Sequence, residues 1–209
     1  GVTVPPQAAG IALEIKEEGN AKRYTITDEL SELSEVYNTD FTIMSPLSYF
    51  GRRRCGKNAR YLYALVFDLD GVGMLQLRDT LHQMNKDILP QATFVVNSGT
   101  GLHLYYVLDE PIPMYPHNQK CLKELKYSLT RQIWNRFPST IKEPQMQGIL
   151  QGFRGVGSGS KLGREYPVTA YRRGGRVTLE RLLEFIPDSN GEQQRLEGLM
   201  RKSRLSLAE

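Results

Sequence analysis

Asp68 and Asp70 close an apolar run, Tyr61-Leu62-Tyr63-Ala64-Leu65-Val66-Phe67, and only Leu69 separates them. Side chains alternate across a β-strand, so residues two apart project from the same face. The two carboxylates then stand roughly 6–7 Å apart, given a rise of about 3.3 Å per residue. Like charges that close repel unless something positive sits between them. Hard divalent cations take oxygen ligands, and paired cations serve phosphoryl and nucleotidyl transfer. The other reading is a pair of strand-end acids that cap a helix or face solvent, and the spacing alone does not choose.

Two further clusters bear on that choice. Ser98-Gly99-Thr100-Gly101-Leu102-His103 places a glycine turn before an alternating strand, in which His103 and Tyr105 share one face. Glycine allows tight backbone and leaves amides open to an anion, so His103 is placed to touch a phosphate or its metal. A plain hairpin with a half-buried histidine is the alternative. Arg154-Gly155-Val156-Gly157-Ser158-Gly159-Ser160-Lys161 offers a planar fork, a movable point charge, and amides and hydroxyls without bulk. It reads as a triphosphate grip, without the spacing of a P-loop, or as a flexible surface loop with incidental cations.

The elements that must position these groups are legible in outline. Tyr61 to Leu69 is apolar on both faces, as in a covered central strand. A helix follows with Met74, Leu77, Leu81, Met84 and Ile88 as its stripe, and Asn118 to Phe137 forms a second with Leu122, Leu125, Leu129 and Ile133. Thr93–Asn97 and Leu102–Leu108 are strands around the glycine turn. Gln147–Phe153 and Val168–Arg172 are further strand candidates. Asp28 to Tyr37 reads as a helix capped by Thr27, Thr178 caps a short helix, and Glu192 to Leu207 is a charged terminal helix. The order implies an α+β or mixed α/β fold with a mixed sheet.

Composition sets the bounds. The chain has 209 residues, 40% hydrophobic and 24% charged, the profile of a soluble globular protein of one domain or a compact pair of lobes. No apolar run approaches the ~20 residues that span a bilayer, and a cytoplasmic location is expected. Two cysteines make neither a disulfide framework nor a four-thiolate zinc site. The net charge of +4 is compatible with a polyanionic partner. Arg52, Arg53, Arg54, Lys57 and Arg60 crowd one segment that suits template phosphates or a primer's 5′ end, with a solvated loop as the alternative.

Together the three clusters, in this order over residues 45–175, resemble the archaeo-eukaryotic primase superfamily. Its primase–polymerases carry D-x-D at a strand end, then S-G-x-G-x-H, then a further acid before R-x-x-G-[ST]-x-x-K. Ser45-Pro46-Leu47-Ser48-Tyr49-Phe50-Gly51-Arg52-Arg53-Arg54 is similar to replication proteins of bacterial mobile elements. The resemblance implies a two-lobed primase–polymerase fold, with an N-terminal α/β unit and an RRM-like sheet around a central cleft. It implies a DNA primase/polymerase with a two-metal site for Mg²⁺ or Mn²⁺ on Asp68, Asp70 and a third acid. Glu143 is the candidate for that third position; alternatively Gln147 or Gln151 fills it. Ser98, Gly101, His103, Arg154, Ser158 and Lys161 would hold a nucleoside triphosphate, and single-stranded template and primer would be the partners. The catalytic domain is expected over 1–188, with 189–209 a charged helix or linker. The start at Gly1 suits a domain excised from a protein with a helicase or other replication module.

Two rivals stand beside this. Phe67-Asp68-Leu69-Asp70-Gly71-Val72 also matches the opening motif of haloacid-dehalogenase-like phosphatases, although a long segment precedes it and no downstream acidic pair follows. The other rival is a non-catalytic replication initiator or single-strand-binding module of the same fold, suggested by the weak third acid.

Overall fold

The computed structural model describes residues 8–205, so the Pro5-Pro6 pair and the expected helix end at Leu207 lie outside it. Strands β1 (Gly10–Ile15) and β2 (Ala21–Ile26) precede the short helix α1 (Leu33–Val36) and strands β3 (Thr42–Met44) and β4 (Leu47–Tyr49). The centre is β5 (Ala59–Leu69), α2 (Met74–Asn85), β6 (Phe94–Asn97), β7 (Leu102–Pro113) and α3 (Pro116–Ile133). Then come β8 (Phe153–Arg154), β9 (Gly159–Ser160), β10 (Gly163–Pro167), β11 (Thr169–Arg172), α4 (Leu179–Leu183) and α5 (Glu192–Lys202).

One sheet has the order β2-β1-β3-β8, a larger one the order β11-β6-β7-β5-β4, and β9 and β10 pair apart. Every pairing of these strands is antiparallel, where a mixed sheet was expected. The reason lies in β7, which inserts between β5 and β6. Those two run parallel to each other, joined through α2, but never touch as neighbours. This is a split β-α-β unit, the core of an RRM-like sheet. It also removes the phosphatase rival, since Asp68 lies on the fifth strand and in an antiparallel sheet.

Alternation sorts the large sheet into two faces. Leu65, Phe67 and Leu69 of β5 lie opposite Tyr106, Leu104 and Leu102 of β7, and this face packs into the main core with the helices. Leu122, Leu125, Leu129 and Ile133 of α3 are each 0% exposed, as their helical spacing predicts. Ala64, Val66 and Asp68 lie opposite Val107, Tyr105 and His103 and look toward Phe153 of the smaller sheet. An apolar cleft of about 380 Å³ opens between the sheets, walled by Val36, Tyr37, Met44, Phe94, Val96 and Tyr105 among others.

Several elements depart from their sequence patterns. The helix expected from Asp28 shrinks to Leu33–Val36, because Leu30 turns to φ 57° and breaks the run before it. Helix α2 ends before Ile88, which is exposed like Met74, and packing is left to Leu77, Leu81 and Met84. Of Gln147–Phe153 only Phe153 enters a strand. Helix α5, charged as it is, buries Leu196 and Met200 completely in the main core. It docks on α3, with Arg195 bound to Glu124 and Ser128 bound to Glu192. Leu196→Ala is therefore expected to cost about 2–5 kcal/mol in urea unfolding, the range for a buried leucine that leaves a cavity; a change below about 0.5 kcal/mol would mean that α5 is not part of the cooperative unit.

Candidate active site

Asp68 is held from both flanks of β5. On one side the register sets it opposite His103, whose Nε2 lies 3.3 Å from Asp68 Oδ1. His103 is 3% exposed, its ring sits against Phe153 with centroids 5.5 Å apart, and its buried Nδ1 has no partner among the described residues. On the other side β4 has ended, since its pairing stops at Leu62. There the side-chain amide of Gln147 takes the place of a neighbouring strand. Asp68 N donates to Gln147 Oε1 and Gln147 Nε2 donates to Asp68 O, each at 3.1 Å.

Asp70 follows the strand end and is fixed through its backbone, where Ser139 Oγ donates to its carbonyl at 2.6 Å. Its carboxylate faces Lys161, with Nζ 3.4 Å from Oδ1. The glycine turn makes this approach possible. A Cβ on Gly101 would sit 2.5 Å from Leu69 O, so only glycine lets the turn lie against the end of β5. Gly99 has φ 107°, and a Cβ there would meet Ser160 at 2.9 Å. Lys161 N then donates to Ser98 O at 3.4 Å, which ties the cationic loop to the turn.

The glycines thus act mainly through close packing. The amide cradle expected of this turn is partly spent: Gly99 N donates to Asn97 Oδ1 and Ser98 N to Gly101 O. Ser98 is buried with its hydroxyl on Gly101 O, and Ser158 is fully buried with its hydroxyl on Gly155 O. Both hydroxyls are taken up by carbonyls of their own turns. Arg154 likewise turns to its own loop, with Nη1 on Gly159 O at 3.1 Å and the guanidinium 3.9 Å from the Phe41 ring centroid. Phe153 points at His103, so its strand neighbour Arg154 points the other way. Glu143 is exposed in a coil, and among the described residues no three His, Cys, Asp or Glu side chains are grouped to hold an ion. The third acid of the expected ligand set does not join the pair.

The basic segment also divides. Arg60 stacks between Phe50 and Tyr61, at 5.2 and 4.9 Å from their ring centroids. It lies eight residues before Asp68 on β5, at most about 26 Å away along the strand. Arg54 packs its guanidinium against Gly152, where a Cβ would meet Nη2 at 2.6 Å. Arg52, Arg53 and Lys57 are exposed.

Sequence reasoning missed Lys126. It is 2% exposed on α3, and Nζ donates to Gly148 O at 3.2 Å, between the rings of Phe67 and Phe153. Burial lowers its pKa to about 8, while the negative charge of Asp68 works in the opposite direction. A signal was present, since position 126 falls four residues after Leu122 and three before Leu129 on the apolar stripe. The same surroundings raise the pKa of Tyr105, through burial first and Asp68 second.

Two carboxylates about a quarter exposed, at 23% and 29%, offer oxygen donors at a rim open to solvent. Mg²⁺ is commonly held by one or two carboxylates, with water and substrate phosphates filling its other positions. Asp68 and Asp70 are of the type that would hold such an ion, with water and substrate supplying its remaining positions.

No family model matches the chain, and no curated protein matches its sequence. Among solved structures it is similar to the AEP domain of the cyanophage S-2L primase-polymerase, with TM-score 0.56 and 15% identity over 87% of this chain and 90% of that one. Lower scores connect it to the catalytic domain of primase Repb′ in complex with initiator DNA (0.49, 10% identity, 96% and 91% covered). The polymerase domain of Mycobacterium tuberculosis ligase D in complex with DNA follows (0.38, 19% identity, 98% and 76% covered). The first likeness assigns the fold: the chain has the AEP-type primase-polymerase fold.

The depressed pKa of Lys126 has a consequence for stability. The unfolded chain holds this proton up to about pH 10.5 and the folded chain only to about 8. Stability should therefore rise as pH increases from about 8 toward 10.5, by on the order of 3 kcal/mol. Urea unfolding of the wild type against Lys126→Met isolates the effect, and equal pH slopes in the two proteins would disprove it.

Proposed function

We propose that this protein is a template-directed nucleotidyltransferase that makes or extends primers from nucleoside triphosphates on single-stranded DNA. The observation that carries this reading is the meeting of Asp68 with His103 and of Asp70 with Lys161 at the end of β5, in a fold shared with a primase-polymerase domain. A divalent cation on the acid pair, Mg²⁺ or Mn²⁺, would supply activation of the attacking 3′-hydroxyl and charge neutralisation on the leaving pyrophosphate.

The chain's own residues do the rest by positioning and electrostatics. His103 and Gln147 fix Asp68 in angle and height. Lys161 is 45% exposed and, among the described residues, its ammonium binds only one carboxylate oxygen of Asp70, so it can swing to a triphosphate oxygen. Arg154 supports that swing by bracing the loop at Gly159, a change from direct phosphate contact. The apolar cleft beside Tyr105, about 380 Å³, would take the flat apolar face of a base. Arg52, Arg53, Lys57 and Arg60 serve the template as a sequence-independent phosphate contact. Arg54 backs the Gly152 segment.

That no third acid is grouped with the pair among the described residues also favours a second reading, a replication initiator of the same fold without turnover. Metal-dependent incorporation of labelled nucleotide separates the two. For the enzyme, Asp68→Ala or Asp70→Ala should lower incorporation by ~10³-fold or more, because a bound ion supplies several kcal/mol of transition-state stabilisation. Circular dichroism should stay unchanged, and full primer extension by the double variant in Mn²⁺ would refute the assignment. Lys161→Ala should raise the nucleotide KM about tenfold, the worth of one charge-assisted hydrogen bond, with template affinity unaltered. Weakened template binding at constant nucleotide KM would instead move Lys161 to the nucleic-acid surface.

A further inference from the structure

We propose that Lys126 is a built-in counter-cation of Asp68, which keeps the acid pair a weak metal site until a triphosphate completes it. The inference rests on the reading of Asp68 and Asp70 as metal ligands and adds a residue that no motif contains.

The position is unusual for a lysine. Leu122, Leu125, Leu129 and Ile133 around it on α3 are fully buried, and hydrocarbon would fill the site at less cost. Instead an ammonium reaches past the unpaired edge of β5, where Phe67 belongs to the helix face and Phe153 to the cleft face. A buried charge needs an opposite charge or a dense set of hydrogen bonds. Lys126 has the carbonyl of Gly148, the faces of two aromatic rings and the field of Asp68.

Geometry links these partners. Gly148 follows Gln147, whose amide clasps the backbone of Asp68 on both its N–H and its C=O. Lys126 therefore anchors the segment that fixes Asp68 and also sets the charge behind it. The cations near the two aspartates differ in mobility. Lys161 pairs with Asp70 from an exposed loop and can leave; Lys126 is buried on the carbonyl of Gly148, beside the segment that clasps Asp68, and cannot.

A metal ion arriving at the pair meets repulsion from Lys126, with no third acid to offset it. The phosphates of a nucleotide bring the missing negative charge. Cation and triphosphate then bind as a pair, each weak without the other, and free divalent ions do not hold the site shut between turnovers.

Mn²⁺ titration followed by electron paramagnetic resonance, with and without a non-hydrolysable nucleoside triphosphate, tests this on the whole chain. Lys126→Met and Lys126→Gln should bind Mn²⁺ several-fold tighter than wild type without nucleotide, and the gain from adding nucleotide should shrink. Gln can still donate to Gly148 O, so it separates charge from anchoring and carries the test if the Met variant does not fold. Lys126→Arg should restore the wild-type affinity. Loss of a merely structural anchor would weaken Mn²⁺ binding, and unchanged or weaker binding in both neutral variants would overturn the proposal. Asp68→Asn is the control for the underlying reading: if it leaves Mn²⁺ binding intact, the metal assignment itself fails.

Discussion

Two carboxylates, with one residue between them, stand where β5 ends, and their negative charge has to be accommodated by what surrounds them. His103 stands beside Asp68 in the strand register, and Lys161 reaches Asp70 from a separate loop. Lys126 sits nearby on the carbonyl of Gly148, next to the Gln147 amide that clasps the backbone of Asp68. None of these groups is adjacent in sequence to the pair. They arrive from β7, from α3 and from the segment after β9, so folding itself assembles the counter-charge. Such an arrangement stays poised rather than neutralised for good, because the exposed Lys161 can be displaced by a ligand.

The second constraint is the open edge of β5. Its partner β4 ends early, which leaves the backbone near Asp68 without a strand on that side. A bare edge there would expose N–H and C=O groups and let the strand end fray. The amide of Gln147 supplies both missing hydrogen bonds, and Lys126 holds the next carbonyl. Backbone order and electrostatics at the acid pair therefore depend on the same short segment. Burying an ammonium for this purpose costs stability, as its depressed pKa records. That cost is one reason to read Lys126 as serving the site rather than the fold.

Periodic signals with a single packing partner were the legible ones. The stripe of α3 is read correctly because one side of a long helix meets one sheet face, and β5 because it is covered on both faces. In α2 the same kind of pattern overreaches at Met74 and Ile88, which sit at the helix start and beyond its end, where the sheet no longer lies beneath them. Gln147–Phe153 looks extended, yet Gly148 and Gly152 interrupt it and only Phe153 finds a strand partner. Ser158 and Arg154 suit a phosphate by residue type, but their hydrogen bonds go to their own loop. Lys126 was hidden by the rule that a lysine marks the solvent side of a helix.

What the sequence by itself determined is the placement of Asp68 and Asp70 at the end of an apolar central strand, and the tight turn that needs Gly99 and Gly101. Order along the chain was enough to suggest the primase–polymerase fold. Only the tertiary structure decided which groups surround those aspartates: Lys161 pairs with Asp70, Lys126 is buried beside the segment that clasps Asp68, Glu143 is exposed in a coil, and Arg154 braces a loop. Local periodicity fixes the direction of a side chain relative to its own element. Contacts between distant segments depend on how loops cross a sheet edge, and no spacing in the sequence records that.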